Sequence, residues 1–474
     1  MSALALGIDL GTTAAKAVVL DEGARVVASG YAPLRLITGP NGMVEQDPGA
    51  IWRGALDAAQ EAVGDSGRDV RALALSSQGG TLIPLDGRGA PVGNAISWMD
   101  TRPASLGPAL LGGRDDAFYY GKTGWSLGLG CLPLAQLIRL RAEGVAPAPR
   151  TRFVDSYIVE RLTGEAATAP SDAAITMLYN VRQRRWDPEL LELAGVDAAA
   201  LPRVVPSGTP LGPLRKRAAA ELGISTRAVV VAGGHDQYCA AFGAGCRRAG
   251  DTILSCGTAW VLLTMVTGPR LDLATRLAPA EAIPCGLWGL LGSCPGVGAA
   301  VDWFRHVVSP EGREVPFETL EAAAAAVEPA ADGVVFIPPA AGARGRLAGF
   351  GLQHGFAHLG RALLEGAALS ARALLERMRG VGPSPAVLRA VGGATRSRPW
   401  MQIVADAVGL LLEIAGTRDV AAYGAARLAG QATGIIPPDA PWPRPLATME
   451  PDSFHRQAYD TLYERFKRFK DAEP

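Results

Sequence analysis

Asp9, Gly11, Thr12, Thr13 and Lys16 stand together in GIDLGTTAAKAVVL, which has the residue types of a phosphate site without the order GxxxxGK[ST]. A turn between two strands can serve phosphate oxygens through its backbone N–H groups and Thr hydroxyls. Glycine at 11 lets the backbone come close. A carboxylate beside phosphates needs a cation between them, so Asp9 points to Mg2+. Lys16 can reach a phosphate, or stand as a solvated strand residue. About half the chain later, TILSCGTAWVLLTMV puts Gly257-Thr258 where Gly11-Thr12 stands and Ser255 where Asp9 stands. Two such hairpins could grip a polyphosphate.

Three further segments carry candidate chemistry. VVVAGGHDQYCAAFGAG, residues 229–245, reads as a strand broken by two glycines, with His235-Asp236-Gln237 opening a helix. An Asp at the end of a parallel strand lies where such sheets bind ligands. It can cap the helix, or take a hydroxyl proton during phosphoryl transfer. In SSQGGTLIPLDGRGAPVGNAISWMDTR, residues 76–102, Gln78 follows a strand and Gly79-Gly80 permit close approach. Trp98, Asp100 and Arg102 alternate at a strand exit. An aromatic face with a carboxylate suits a polyol; a core Trp with an Asp–Arg surface pair fits the spacing equally. In AVGGATRSRPWMQIVADAVG, residues 390–409, a strand ends at Gly392-Gly393 and a helix starts near Ser397 with Pro399 in its first turn. Such a turn can lie flat against an adenine ring, and Gly298 in GVGAAVDW offers another close approach.

The elements that must position these groups are α/β. Residues 3–8, 14–20 and 25–30 read as three strands, with DEG as a turn. The Gly-Thr-Thr therefore lies in a strand–turn–strand. That excludes the P-loop and the dinucleotide fingerprint, both of which need a helix after the glycines. Asp47-Pro48 opens a helix whose Ile51, Ala55, Ala58 and Ala59 recur at helical spacing. Residues 72–76 and 95–98 are strands, and strand–helix alternation continues to the end. The repeated hairpin suggests a duplicated domain, with a boundary near residues 244–250 and a cleft between the halves.

Composition narrows the partners. The 474 residues exceed one ordinary core, so two domains are expected, and 48% hydrophobic residues can fill them. Lys plus Arg equals Asp plus Glu at 46 each, which argues against nucleic acid and membrane surfaces; Arg182, Arg184 and Arg185 read as a solvated face. Six scattered cysteines without CxxC spacing fit buried free thiols in a reducing compartment rather than a zinc site. The start MSALALGIDLG lacks a basic n-region, which predicts a cytoplasmic chain without a signal peptide. The uncharged residues 282–301 hold two Pro and five Gly and read as a buried strand and turn, not a membrane span.

Taken in order, GIDLGTTAAK, WMDTR, TGEAATAPSDAAITML, AGGHDQ, LSCGTAW, GFGLQHGFAHLGRALLEG, VGGATRSRPWMQIVADAVG and YGAARLAG resemble the FGGY carbohydrate kinases, the family of xylulokinase and glycerol kinase. The resemblance implies two duplicated ribonuclease H-like (actin-like ATPase) domains with a cleft between. These would be residues 1–245 for the sugar and 246–435 for ATP, with a helical tail at 436–474. It implies ATP and Mg2+ as cofactors. Asp9, Gly11, Thr12, Thr13 and Lys16 would face the phosphates and the metal, with Asp9 and Asp236 as metal-facing carboxylates. Gly257 and Thr258 would form the second phosphate hairpin, and Gly298, Gly393, Ala394 and Ser397 would line adenine and ribose. Asp236 would be the catalytic base, with Gln78, Gly79, Trp98, Asp100 and Gln237 at the substrate.

Several positions depart from that pattern. Gly79-Gly80 stand where the family places substrate-reading residues, Arg-Glu in glycerol kinases and Met-His in xylulokinases. CLPLAQLIRL lacks the Lys of the first signature, GARGRLAG replaces GERTP, and Ala394 replaces the third glycine of the adenine turn. The vacated side chains at 79 and 80 predict a roomy pocket and an acceptor larger than glycerol. The expectation is a xylulokinase-like kinase of a ketose or polyol hydroxyl. The alternatives are a small-polyol kinase resembling glycerol kinase, a non-catalytic sugar sensor, or a conformational ATPase of the actin/Hsp70 type. The partner expected is a small sugar or polyol, with a homodimer as an open option.

Overall fold

The first strand runs Leu, Ala, Leu, Gly, Ile, Asp, Leu, and successive side chains of a strand face opposite ways. In the computed structural model, which describes residues 3–107, 112–126, 131–283, 286–309, 313–339 and 344–471, that alternation sorts the chain into layers. Leu4, Leu6, Ile8 and Leu10 of β1 (Leu4–Leu10) pack with Ile51, Ala55 and Ala58 of the helix Pro48–Val63. On the other face, Ala5 packs with Ala422 and Ala426 of the helix Val420–Ala432. A Cβ on Gly7 would lie 2.0 Å from the Ala422 carbonyl oxygen, so helix and strand meet backbone to backbone there. Asp9 has the parity of the second face.

Five more strands complete this sheet: β2 (Ala14–Leu20), β3 (Val26–Pro33), β4 (Val70–Ser77), β5 (Pro210–Pro213) and β6 (Val229–His235), in the order β5-β6-β4-β1-β2-β3. β1, β4 and β6 are mutually parallel, while β2 and β5 run antiparallel to their neighbours. The glycines at 233 and 234 do not end β6, as the sequence suggests. The strand runs on to His235 across a register shift, and Gly233 is needed because a Cβ there would lie 1.6 Å from the Leu75 carbonyl oxygen.

A second sheet has the same plan. β7 (Thr252–Cys256) and β8 (Trp260–Val266) form the expected hairpin. β7 lies parallel to β9 (Val387–Val391), β9 parallel to β10 (Leu411–Ile414), and β10 antiparallel to β11 (Ala447–Met449). The order β8-β7-β9-β10-β11 thus repeats β2-β1-β4-β6-β5 in neighbours and directions. The duplication that two Gly-Thr turns suggested is present in the topology.

The contacts divide the chain into two compact units. One comprises Met1–Arg247, Met265–Leu290 and Asp419–Pro443; the other comprises Arg248–Thr264, Leu291–Arg418 and Arg444–Pro474. Residues 419–443 thus return to the first unit. There Tyr423 donates to the Ala24 carbonyl at 3.1 Å, and the Arg427 guanidinium lies 3.7 Å from the Trp442 ring centre. The helix Arg456–Asp471 belongs to the second unit. It buries Tyr459, Leu462, Tyr463 and Phe466, with Tyr459 accepting from Arg361 and Tyr463 donating to Glu376.

Residues 288–294 are a buried strand, and among the described residues no helix is long and apolar enough to cross a membrane. Among the described residues Cys131, Cys239, Cys246, Cys256 and Cys294 form no disulfide; Cys285 lies outside the described residues.

Candidate active site

In the first unit the ends of β1, β4 and β6 deliver Asp9, Ser76-Ser77-Gln78 and His235-Asp236 to one edge of the sheet, the carboxyl edge where parallel strands bind ligands. Asp9 accepts a 2.6 Å hydrogen bond from Ser76 Oγ. Burial, and then the charge of Asp236, push its carboxyl up to about 7 against the opposing effects of Ser76 and Lys16. Lys16, opposite Asp9 across the hairpin, reaches Asp419 at 3.1 Å. Asp419 precedes the helix Val420–Ala432 and was not among the sequence candidates. Its signal would have been an acidic residue ahead of an apolar helix that follows a strand.

Asp236 does not cap its helix. It is the first helical residue, the cap position falls on His235, and no side-chain capping bond forms. Its Oδ1 makes no hydrogen bond among the described residues and has the His235 ring Nε2 beside it at 3.3 Å, and Gln237 Oε1 is likewise buried without a hydrogen bond. The capping alternative is thereby removed, and a carboxylate oxygen and an amide oxygen have hydrogen-bonding capacity to spare. The carboxylate is partly exposed, so an outside donor can reach it.

The residues around Gln78 are committed differently from expectation. Gln78 is buried. Its Oε1 accepts from Thr12 and Thr81 at 3.1 and 3.4 Å, and its amide donates to Gln46 at 2.9 Å and to the Gly11 carbonyl at 3.4 Å. Thr12 in turn accepts from the Trp98 indole N–H at 3.0 Å. The Thr12 hydroxyl is thus held by Gln78 and Trp98, and it is Thr13 that the turn leaves exposed. The strand expected at 95–98 stops at Ile96, and residues 97–100 turn, with Asp100 N–H donating to the Ser97 carbonyl.

Trp98 and Asp100 therefore do not share a face: Trp98 is 37% exposed, Asp100 fully buried. The Asp100 carboxylate accepts from the Val44 N–H, Arg102 and Gln136. Burial opposes its charge, but Arg102 and the N–H donors hold it below the usual carboxylate range. It is the Asp–Arg pair of the plainer reading, buried rather than on the surface.

Gly79 and Gly80 do not open a pocket. A Cβ on Gly79 would lie 2.5 Å from His235 Cδ2 and 2.7 Å from Ile175 Cγ2. A Cβ on Gly80 would lie 3.1 Å from Leu132 Cδ2 and 3.3 Å from Trp98 Cβ. The room expected from the missing side chains is already filled by residues from elsewhere in the chain.

The second unit holds a cavity of about 570 Å³ lined by Gly257, Thr258, Gly298, Phe317, Glu321, Gly393, Ala394, Ser397 and Trp400, among others. Every nucleotide candidate from this half lines it. Gly298 is glycine for an internal reason, since its Cβ would lie 2.2 Å from the Gly257 carbonyl oxygen. The N–H groups of 298 and 299 donate to the Thr258 carbonyl at 2.9 and 3.1 Å and lock the hairpin turn. Gly257 and Gly393 have no side chain or backbone closer than 3.6 Å to their missing Cβ, so their bareness leaves space in the cavity. Ser397 caps the helix Arg398–Val408 by accepting from the Trp400 N–H, and it donates to Glu321, a lining carboxylate that sequence alone did not single out.

The carboxylates of Asp9 and Asp236 fit a divalent cation. One is pushed toward its neutral form by burial and by the other's charge, and the other has an oxygen that makes no hydrogen bond among the described residues. Mg2+ keeps waters and takes one or two carboxylates plus phosphate, so two carboxylates are enough for it.

The chain is similar to known proteins over most of its length. The N-terminal domain model of the FGGY family of carbohydrate kinases matches residues 4–243, and the C-terminal domain model matches residues 253–433. A glycerol kinase of Gloeobacter violaceus is 34% identical over 455 residues, 92% of this chain and 89% of that protein. One of Trichlorobacter lovleyi is 35% identical over 90% of each. Among solved structures, a xylulose kinase from Rhodospirillum rubrum superposes with a TM-score of 0.88 at 28% identity, covering 98% of both chains. A Plasmodium falciparum glycerol kinase with ADP gives 0.85 at 21% identity over 100% and 99% of the two chains, and shares the fold.

Proposed function

The chain belongs to the FGGY family of carbohydrate kinases, and from that premise we propose that it transfers the γ-phosphoryl group of ATP to a hydroxyl of a small polyol. The observation that carries the reading is the Asp236 carboxylate, free of capping, at the carboxyl edge of the first sheet, with an oxygen that makes no hydrogen bond among the described residues and lies beside the His235 ring. Asp236 takes the acceptor's hydroxyl proton as the oxygen attacks phosphorus. Gln237 Oε1 accepts from a neighbouring hydroxyl, and the half-exposed Trp98 ring covers C–H groups. Asp9 and Asp236 would hold Mg2+, which when bound neutralises charge on the phosphates. Gly11, Thr13 and Lys16 are the phosphate candidates of the first unit, and Gly257 and Thr258 those of the second. The cavity between Gly298, Gly393, Ala394 and Ser397 would take the adenosine.

For the acceptor, the small-polyol alternative has more support than the ketose reading. The curated relatives at 34–35% identity are glycerol kinases, and the space that favoured a larger substrate is filled by His235 and Ile175. The test is ADP formation from Mg-ATP with glycerol, tetritols, pentitols, pentuloses and hexuloses. We expect acceptor-dependent turnover favouring the shortest polyols, and a fall of about 10²- to 10⁴-fold in kcat for Asp236→Asn. ADP release indifferent to every acceptor, or unaffected by Asp236→Asn, would refute the kinase reading.

A further inference from the structure

The proposed chemistry gives His235 no part, yet its neighbours are fitted closely to it. Its ring is buried, 3.3 Å from Asp236 Oδ1 through Nε2, and edge-on to Tyr238 at 5.9 Å between ring centres. Its backbone N–H donates to Ser171 Oγ at 3.1 Å, which fixes the strand end that carries it. Opposite the ring stands Gly79. Gly80 has a left-handed backbone (φ 74°) that itself favours glycine, whereas Gly79 is not among the positive-φ residues. Gly79 is therefore glycine for space: a Cβ would meet His235 Cδ2 at 2.5 Å, Ile175 Cγ2 at 2.7 Å and His235 Nε2 at 2.9 Å. The imidazole occupies the volume that a side chain at 79 would fill. Gly79 follows Gln78, whose partner Thr12 holds the Trp98 indole, and Gly80 abuts Trp98 itself. His235 thus lies against Gly79 and Asp236, and Trp98 lies against the adjoining Gly80.

We propose that His235 is the specificity-determining residue of the acceptor site, its imidazole closing the space over Gly79 so that only a short polyol of three or four carbons fits beside Asp236. The inference rests on the kinase reading and adds the residue that sets acceptor length. The two positions are interlocked: a side chain at 79 requires the ring at 235 to go and Ile175 to shift, and the loss of the ring frees the volume it occupies beside Asp236.

The test compares kcat/KM for glycerol, a tetritol and a pentitol in the wild type, His235→Ala and His235→Asn, with thermal unfolding of each to confirm folding. Removal of the ring is expected to raise the pentitol-to-glycerol ratio at least tenfold, chiefly through KM. A merely structural role would lower kcat for all acceptors alike and leave the ratio unmoved. Gly79→Ala is expected to lose activity alone and to regain part of it in Gly79→Ala/His235→Ala, a coupling that additive effects do not produce. An active wild type whose acceptor ratio neither His235 variant changes, or a fully active Gly79→Ala, would overturn this inference and leave the kinase reading standing. A wild type that phosphorylates no acceptor would overturn both.

Discussion

Asp9 shows how a single carboxyl can report on the site. Its pKa is raised from the ordinary 3.8 to about 7 by burial and by Asp236. Between those values the folded chain binds a proton that the unfolded chain has released, so this group's contribution to stability falls as pH rises through the window and levels off above about 7. A divalent cation needs the ionised form. The rise in unfolding temperature on adding Mg2+ is therefore expected to be larger at pH 8 than at pH 6, and Asp9→Asn should abolish that difference; equal shifts at both pH values would contradict it. At this scale the sequence disclosed which residue types matter but not what they touch. That Asp9 and Asp236 stand at strand ends was legible from the apolar runs before them. The contacts of Gln78 and Asp100 were not, because their partners, Gln46, Gln136 and Val44, lie 32 to 56 residues away, and no local pattern encodes such contacts.

Among elements, the helices Asp236–Gly243 and Val420–Ala432 touch through glycines. A Cβ on Gly424 would lie 2.0 Å from the Cys239 carbonyl oxygen, and one on Gly243 2.2 Å from that of Val420. Backbone atoms cannot rotate aside, so Gly424→Ala must push the helices apart, at a cost of about 1–3 kcal/mol or more. Because Asp236 opens one of them, kcat should fall with the unfolding temperature. Gly121 gives the opposite sign. It lies within the helix Asp116–Thr123 with nothing within 4 Å of its missing Cβ, and Gly121→Ala should stabilise by roughly 0.5–1 kcal/mol. Chemical denaturation of the two variants checks both. Hairpins, the Pro48 helix and the Ser397 helix start were readable from period and capping residues, which act over a few positions. The unbroken β6 was not, because Gly233 answers to Leu75 on another strand.

For the whole molecule, the repeat of strand order across two sheets was foreshadowed by a pair of Gly-Thr turns, whereas the path of the chain was not. Residues 419–443 complete the first unit: Ala5, Val18, Leu20 and Ala24 share a core with Ala422, Tyr423, Ala426 and Ile436, and Ala72, Ala74 and Val231 with Ala425 and Ala429. A truncated chain of residues 1–247 would leave one face of its sheet bare. It is expected to be insoluble or to bind hydrophobic dyes, and adding residues 419–443 as a peptide should restore compactness in part; a soluble, cooperatively unfolding 1–247 would contradict this. Such a return has no local signature, since Ala- and Gly-rich helices suit many sheets equally.

That same return imposes an order on biosynthesis. A ribosome adding 5–20 residues per second needs on the order of ten to forty seconds to pass from Arg247 to Pro443. Throughout that interval the nascent amino-terminal half waits with an uncovered apolar sheet, while the segments of the other unit emerge. The yield of active protein should therefore depend on chaperones that bind nascent chains, and on how quickly the codons between Arg247 and Pro443 are read.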